Sequence, residues 1–406
     1  MSNTTLLLDK KTTEIIKATV PVLREHGESI TKHFYKILLE NNPELRNVFN
    51  QTNQRKGAQS KALANTVYAA AANIEKLEEI LPYVKQIAHK HTSLNIKPEQ
   101  YPIVGKYLLI AIKDVLGDAA TDEIIGAWKK AYFVIADIFI SVEKEMYNEK
   151  ENQVGGWTGF RNFTVIKKVK ESTDITSFYL KPVDDLPIPT YKPGQYITIK
   201  AQIENEPYEH LRQYSLSTAS GKDFYRISVK REASKNPVGI VSNYLHDSVE
   251  EGSVLPISAP AGDFILDVRD QRPLVLISGG VGLTPIISML ESVVELQPSR
   301  SVIFIHASKS IDHQAMRSSV SEIANSYDQV KQYVVFSKPT NITDGDKQGY
   351  IDYDWLKKVI PTKDAAFYLC GPKPFMSAIN NDLQNMDVSD KDIHMELFGP
   401  LEPISK

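Results

Sequence analysis

The hydrophobic pattern of this chain changes period twice, and that excludes any single uniform architecture. Residues 12 to 147 repeat with helical spacing: Ile15, Ile16, Thr19, Val20 and Leu23 share one face, as do Ala127, Trp128, Ala131, Ile135, Ile138 and Val142. Pro43, Pro98 and Pro102 stand where such helices would begin. At Val154-Gly155-Gly156-Trp157 the composition shifts, and short alternating runs follow: Phe163 to Val169, Ile175 to Leu180, Tyr196 to Lys200 and Tyr225 to Lys230. Turn clusters such as Lys192-Pro193-Gly194 separate them, and about six short strands between residues 157 and 265 predict a small antiparallel barrel. From Pro273 on, apolar strands (Leu274 to Ile277, Ser301 to His306, Gln332 to Phe336, Ala366 to Leu369) alternate with helix-like segments, the pattern of a parallel α/β sheet. The expected fold is multidomain: all-α over residues 1–150, an antiparallel β-barrel over 157–265 and a parallel α/β sheet over 270–406.

Composition narrows the function classes. A length of 406 residues fits about three domains. A net charge of -3 gives no electrostatic case for nucleic acid or an anionic membrane surface. The longest apolar run, Pro273 to Leu290, is broken by Gly279, Gly280, Gly282 and Pro285, which suits strand–loop–helix and not a membrane span. Met1 to Lys10 lacks the cationic start and apolar core of a secretion signal, so a cytoplasmic location is expected. The lone cysteine, Cys370, excludes a disulfide or a four-cysteine iron–sulfur cluster within the chain. A monomer acting on small molecules is expected.

Arg212-Gln213-Tyr214-Ser215 carries the first chemistry. In an alternating segment the guanidinium can pair with a pyrophosphate, the phenol can lie on an isoalloxazine, and the hydroxyl can reach the flavin N5 edge. Ile277-Ser278-Gly279-Gly280-Val281-Gly282-Leu283-Thr284-Pro285 follows a buried strand and opens a helix. There glycines admit a phosphate to the backbone and the helix terminus favours its charge. Taken alone, that cluster equally fits a tight strand–helix turn. Cys370-Gly371-Pro372 ends a later strand at the sheet edge where α/β proteins bind ligands, although Cys370 alone also reads as a small buried apolar residue. Glu396-Leu397-Phe398-Gly399-Pro400 brings an aromatic ring near the end of the chain.

In this order the motifs resemble the ferredoxin–NADP reductase superfamily over residues 157 to 406. The resemblance implies FAD on the barrel, held by Tyr196 and Arg212 to Ser215, with Gly239, Val241 and Ser242 near the flavin pyrophosphate. It implies NADH or NADPH at Gly279, Gly280, Val281, Gly282, Leu283 and Thr284, with Cys370, Gly371 and Pro372 near the nicotinamide and Leu397, Phe398, Gly399 and Pro400 on the cofactor side. Many members pass electrons to an iron–sulfur domain that this chain cannot hold, so the electrons need another exit.

In the helical half stand His33-Phe34-Tyr35, Asn42-Pro43-Glu44-Leu45 ending at Phe49, Asn53 to Leu63, and Ala88-His89-Lys90-His91-Thr92 followed by Ile96 to Pro102. Together these segments resemble the globin domain of flavohaemoglobins. The same family carries the reductase half, so the likeness spans nearly the whole chain. It implies haem b with His91 as axial ligand to the iron, Tyr101 and Glu143 around that histidine, and Tyr35, Phe49, Gln59 and Leu63 in the distal pocket. A carboxylate on the second imidazole N–H would make the ligand more electron-donating and favour oxygen activation. Read alone, Glu143 in Val142-Glu143-Lys144-Glu145 is a solvated helix charge, and Tyr35 is an amphipathic core residue. Lys90 and Glu396 match residues that tune redox behaviour, and read alone both are surface charges. His89 stands two residues from His91 on a helix and faces another way.

The implied activity is nitric oxide dioxygenation: NAD(P)H electrons pass through FAD to haem, where NO and O2 become nitrate. Two alternatives stay open, a haem-based oxygen or redox sensor and a haem–flavin reductase for an external acceptor.

Overall fold

The computed structural model describes residues 8–49, 57–233, 237–339, 341 and 344–399. The chain divides into two compact units: residues up to 153 together with 157–159 and 202–211, and the remainder.

The first unit is helical: α1 (Lys10–Asn41), α2 (Ala58–Ala72), α3 (Leu81–Ser93), α4 (Gln100–Leu116) and α5 (Asp122–Glu151). Local signals set their ends. The Asp9 carboxylate accepts the Thr12 N–H at 2.8 Å to start α1, and the Thr121 hydroxyl accepts the Ile124 N–H at 3.3 Å to start α5. Helix α3 ends because Asn95 adopts a left-handed φ of 60°. The Ile96 N–H then reaches back to the His91 carbonyl at 3.0 Å and the Asn95 N–H to the Thr92 carbonyl, closing a Schellman motif. The helices bury Ile16, Phe34, Leu38, Leu108, Ile112 and Trp128.

The second unit holds two sheets. The first is built from β1 (Phe160–Lys170), β2 (Ile175–Pro182), β3 (Tyr196–Ala201), β4 (His210–Ser215), β5 (Tyr225–Lys230) and β6 (Val254–Ser258), with α6 (Ile240–Asp247) after β5. Strand order is β4-β3-β6-β1-β2-β5, and a bridge between Leu216 and Ile227 brings the two outer strands together, so the sheet curls into the expected barrel.

The second sheet contains β7 (Leu274–Gly279), β8 (Val302–Ser308), β9 (Val330–Phe336), β10 (Lys347–Gln348), β11 (Ala366–Cys370) and β12 (Ile393–Glu396). All pairs are parallel, in the order β10-β9-β8-β7-β11-β12. Helices α7 (Leu283–Leu296), α8 (Arg317–Ser326), α9 (Tyr353–Val359) and α10 (Lys373–Asn385) connect or flank them. The chain leaves β7 in one direction and returns to β11 on its other side. The crevice at the carboxyl ends of β7 and β11 is therefore the topological switch point, where such sheets bind ligands.

Among the described residues no helix is long and apolar enough to cross a membrane.

Candidate active site

His91 occupies the last turn of α3, where the Schellman closure accepts hydrogen bonds at its own carbonyl and fixes its backbone. Its imidazole Nδ1 lies 2.7 Å from Glu143 Oε1 and 3.2 Å from the Tyr101 hydroxyl, which itself donates to Glu143 Oε1 at 2.6 Å. A carboxylate only accepts, so the imidazole proton sits on Nδ1 and the Nε2 lone pair is left for a Lewis acid. Glu143 is 2% exposed, which overturns the reading of a solvated helix charge. It continues the buried α5 stripe of Ala136 and Phe139, so helical periodicity aims it inward. The His91 side chain keeps 31% of its surface, enough to meet a ligand. Burial, then the Glu143 charge, pushes the Tyr101 phenol well above its ordinary range, so Tyr101 remains a donor.

On α1, Tyr35 is buried and meets Phe49 edge-on, ring centroids 5.5 Å apart. Burial pushes its phenol up, opposed by a hydrogen bond with Gln59. Leu63 and Phe49 pack half-buried against the same core. Of the sequence segment that pointed to this pocket, Asn53 to Lys56 lie outside the described residues.

Among the described residues no cluster of three or more His, Cys, Asp or Glu could hold a metal ion. One oriented imidazole with a buried carboxylate behind it suits an iron whose remaining ligands would come from a macrocycle. The residues present therefore fit haem.

In the barrel, Arg212 and Tyr214 project from the same face of β4, and each is coupled electrostatically to the other. Burial weighs against the Arg212 charge and pushes the Tyr214 phenol up, an environment that favours an anion and an aromatic surface. Gln213 and Ser215 take the opposite face, and Ser215 is buried. Tyr196 opens β3, its backbone paired both ways with Ala261. Gly239 is the N-cap of α6 and makes no side-chain cap. The Ser242 hydroxyl is occupied locally, accepting from the Glu232 N–H at 3.2 Å, and Val241 is buried.

At the switch point the Gly279–Gly282 turn runs against the Cys370-Gly371 segment so closely that a Cβ at Gly282 would collide with the Cys370 carbonyl. Gly280 takes a left-handed φ of 54°. Leu283 and Thr284 are buried at the start of α7. Cys370 is fully buried, and burial with the neighbouring Glu396 charge pushes its thiol up, so it stays neutral. Pro372 stands just before α10. Cys370 is in register with Glu396 on β12 and with Ser278 on β7, and Ser278 with His306 on β8. A polar row thus crosses the carboxyl end of four strands. Ser278 and His306, joined by a 2.8 Å hydrogen bond, were not singled out from sequence. Their signal was two polar residues closing otherwise apolar strands. Leu397 and Gly399 follow β12, Phe398 is exposed, and Pro400 lies outside the described residues. Lys90 sits in the last turn of α3 and Glu396 ends β12.

A globin family model matches residues 32–139, an oxidoreductase FAD-binding domain model residues 162–265 and an oxidoreductase NAD-binding domain model residues 276–381. The chain is 86% identical over 406 residues to a flavohemoprotein of Oceanobacillus iheyensis, with the whole of both chains covered. The chain belongs to the flavohemoprotein family. A Bacillus subtilis flavohemoprotein is 54% identical over 398 residues, covering 97% of this chain and 98% of that one. The crystal structure of flavohemoglobin from Malassezia yamatoensis with bound FAD and heme matches with a TM-score of 0.84 and 29% identity, covering 97% of this chain and 100% of that one. The FAD/NAD-binding domain of nitric oxide dioxygenase from Vibrio cholerae matches with a TM-score of 0.56 and 37% identity, covering 59% of this chain and 99% of that domain. As a flavohemoprotein, the chain is an NAD(P)H-dependent oxidoreductase that uses haem and FAD.

Proposed function

We propose that the chain is a nitric oxide dioxygenase, with residues 1–150 as its haem domain, 157–265 as its FAD domain and 270–406 as its NAD(P) domain. The observation that carries this reading is the buried carboxylate behind His91. Glu143 Oε1 takes both the imidazole N–H and the Tyr101 hydroxyl, at 2.7 and 2.6 Å. A simple oxygen carrier has no need of a carboxylate on its imidazole N–H, whereas oxygen activation would gain from the added electron donation.

When bound, the cofactors would supply the electron chemistry, by which two NO and two O2 with one NAD(P)H give two nitrate, NAD(P)+ and one proton. The protein's residues orient and shield. Glu143 keeps the His91 proton at Nδ1 and so presents Nε2 to the iron. Tyr35, its hydroxyl bonded to Gln59, offers a donor to a polar ligand in the pocket, while Phe49 and Leu63 exclude water. Arg212 supplies fixed positive charge for the flavin pyrophosphate, and Tyr196, Tyr214 and Ser215 give the ring system its surface and a hydroxyl. The α6 start at Gly239 and the Gly279–Thr284 turn receive phosphates on backbone N–H groups. Cys370, neutral and buried, packs beside the nicotinamide site, and Lys90 and Glu396 tune the potentials. The lone buried thiol suits a reducing cytoplasm, and a monomer suffices for every assigned role.

The test is steady-state oxidation of NADH and NADPH by purified holoenzyme with and without NO under air. NO is expected to accelerate turnover and appear as nitrate. Turnover indifferent to NO, with no nitrate formed, would sink the dioxygenase reading and leave the reductase.

A further inference from the structure

Helix α7 is mostly apolar but carries polar residues at helical spacing, Thr284, Ser288, Glu291 and Glu295, with Ser292 beside them. Three of them reach the segment that follows β4. The Ser288 hydroxyl donates to the Thr218 carbonyl at 2.7 Å. Glu291 Oε2 accepts the Thr218 hydroxyl at 2.6 Å and the Ala219 N–H at 2.8 Å, while Oε1 takes the Arg226 guanidinium at 2.9 Å. Arg226 also donates to the Ser217 carbonyl, and Lys222 pairs with Glu295 at 3.5 Å. Ser288 is fully buried and Arg226 is 8% exposed, so the contact is desolvated and its geometry specific.

What this clamp joins gives it meaning. Ser217 to Ala219 begins two residues beyond Ser215, the end of the flavin-binding run. Glu291 lies seven residues, about two turns, beyond Thr284, the end of the nicotinamide-binding turn. One helix therefore starts at the hydride donor's turn and is bolted to the segment that follows the hydride acceptor's strand.

We infer that Glu291 is a positioning residue for hydride transfer: through Arg226 on β5, the Thr218 hydroxyl and the Ala219 N–H it fixes the nicotinamide-binding turn against the segment that follows the flavin-binding strand. The inference rests on the FAD and NAD(P)H assignments of those segments and not on NO as substrate. Reacting geometry is steep, and a displacement of about 1 Å costs on the order of 100-fold in rate.

The experiment compares wild-type holoenzyme with Glu291→Gln in anaerobic stopped-flow reduction of the flavin by NADH and NADPH. Each is run with protium and with deuterium at the transferred position, alongside amide hydrogen exchange of residues 216–220 in the FAD-free chain. Glu291→Gln is expected to slow flavin reduction roughly 10- to 100-fold. The isotope effect should grow and the Ala219 amide exchange faster, with FAD stoichiometry and nucleotide affinity unchanged. An apolar pair, Arg226→Met with Glu291→Leu, preserves packing without the directional clamp and should be slow as well. Wild-type reduction rates and isotope effect in both variants would reduce the clamp to a structural bolt and overturn the inference. Failure of both nucleotides to reduce wild-type flavin would instead refute the cofactor assignments.

Discussion

Replacing Glu143 by Gln tests the haem side at its most exposed assumption. The side chain keeps its shape in a site that is 2% exposed, but the acceptor loses its charge. Two bonds converge on one oxygen, from His91 Nδ1 at 2.7 Å and from the Tyr101 hydroxyl at 2.6 Å. Bonds to a charged group are worth about 1.5–3 kcal/mol each and neutral ones about 0.5–1.5 kcal/mol, so neutralising the acceptor should remove roughly 2–3 kcal/mol in all. A second route gives a similar figure. Loss of an outer partner of a ligating histidine typically costs about 10- to 100-fold in affinity or activity, or roughly 1.4–2.8 kcal/mol. With a less basic imidazole, the ferric state loses more stabilisation than the ferrous. The expected results are a raised haem reduction potential and NO-dependent turnover slowed about 10- to 100-fold, while flavin reduction by NAD(P)H stays at the wild-type rate. Spectroelectrochemistry and the two kinetic assays read these separately. Glu145→Gln, an exposed carboxylate on the same helix, is the control. An unchanged potential with unchanged turnover would mean that the carboxylate only braces the helices.

Three further outcomes are expected. Tyr35→Phe removes one neutral hydrogen-bond donor, worth ~1 kcal/mol, so oxygen should leave the ferrous protein about fivefold faster by flash photolysis; an unaltered rate removes Tyr35 from the ligand pocket. Arg212→Ala removes a charge-assisted contact of ~1.5–3 kcal/mol, so FAD affinity measured by flavin fluorescence should fall roughly 10- to 150-fold while the haem spectrum is preserved. Burial holds the His306 imidazole down at about 4, so the unfolded chain, titrating at about 6.5, takes up the proton first as pH falls. The stability that neutral His306 contributes is complete above about pH 6.5 and is lost on the way down to about pH 4, on the order of 3 kcal/mol. His306→Asn should flatten that slope in urea titrations, and an equal slope would show that other groups carry it.

The architecture was legible because it rests on short-range periodicity. Each sheet or helix core is written in short-range spacings, and the strands at 175, 196 and 225 begin where alternation begins, that at 274 where an apolar run begins. The caps are equally local: Asp9, Thr121 and Asn95 act on backbone groups within a few positions. Long-range electrostatic pairs were not legible in this way. Glu143 meets His91 across 52 positions and Glu291 meets Arg226 across 65. Read alone, Glu143 is a solvated helix charge, and only the family likeness assigned it a partner. Yet both glutamates share a local anomaly. Glu143 continues the buried stripe of α5, and Glu291 is the one carboxylate at a largely covered position of a helix whose buried side chains are otherwise apolar or hydroxyl-bearing. Stranding a carboxylate there would cost several kcal/mol, so such a position requires a cation or a set of donors that the local sequence does not contain. The periodicity that places a helix face inward therefore identifies these carboxylates as paired, even though it cannot name the partner. In this chain one such carboxylate orients the imidazole proposed to ligate iron. The other grips the segment that follows the strand proposed to bind flavin, so both lie where electron transfer depends on fixed geometry.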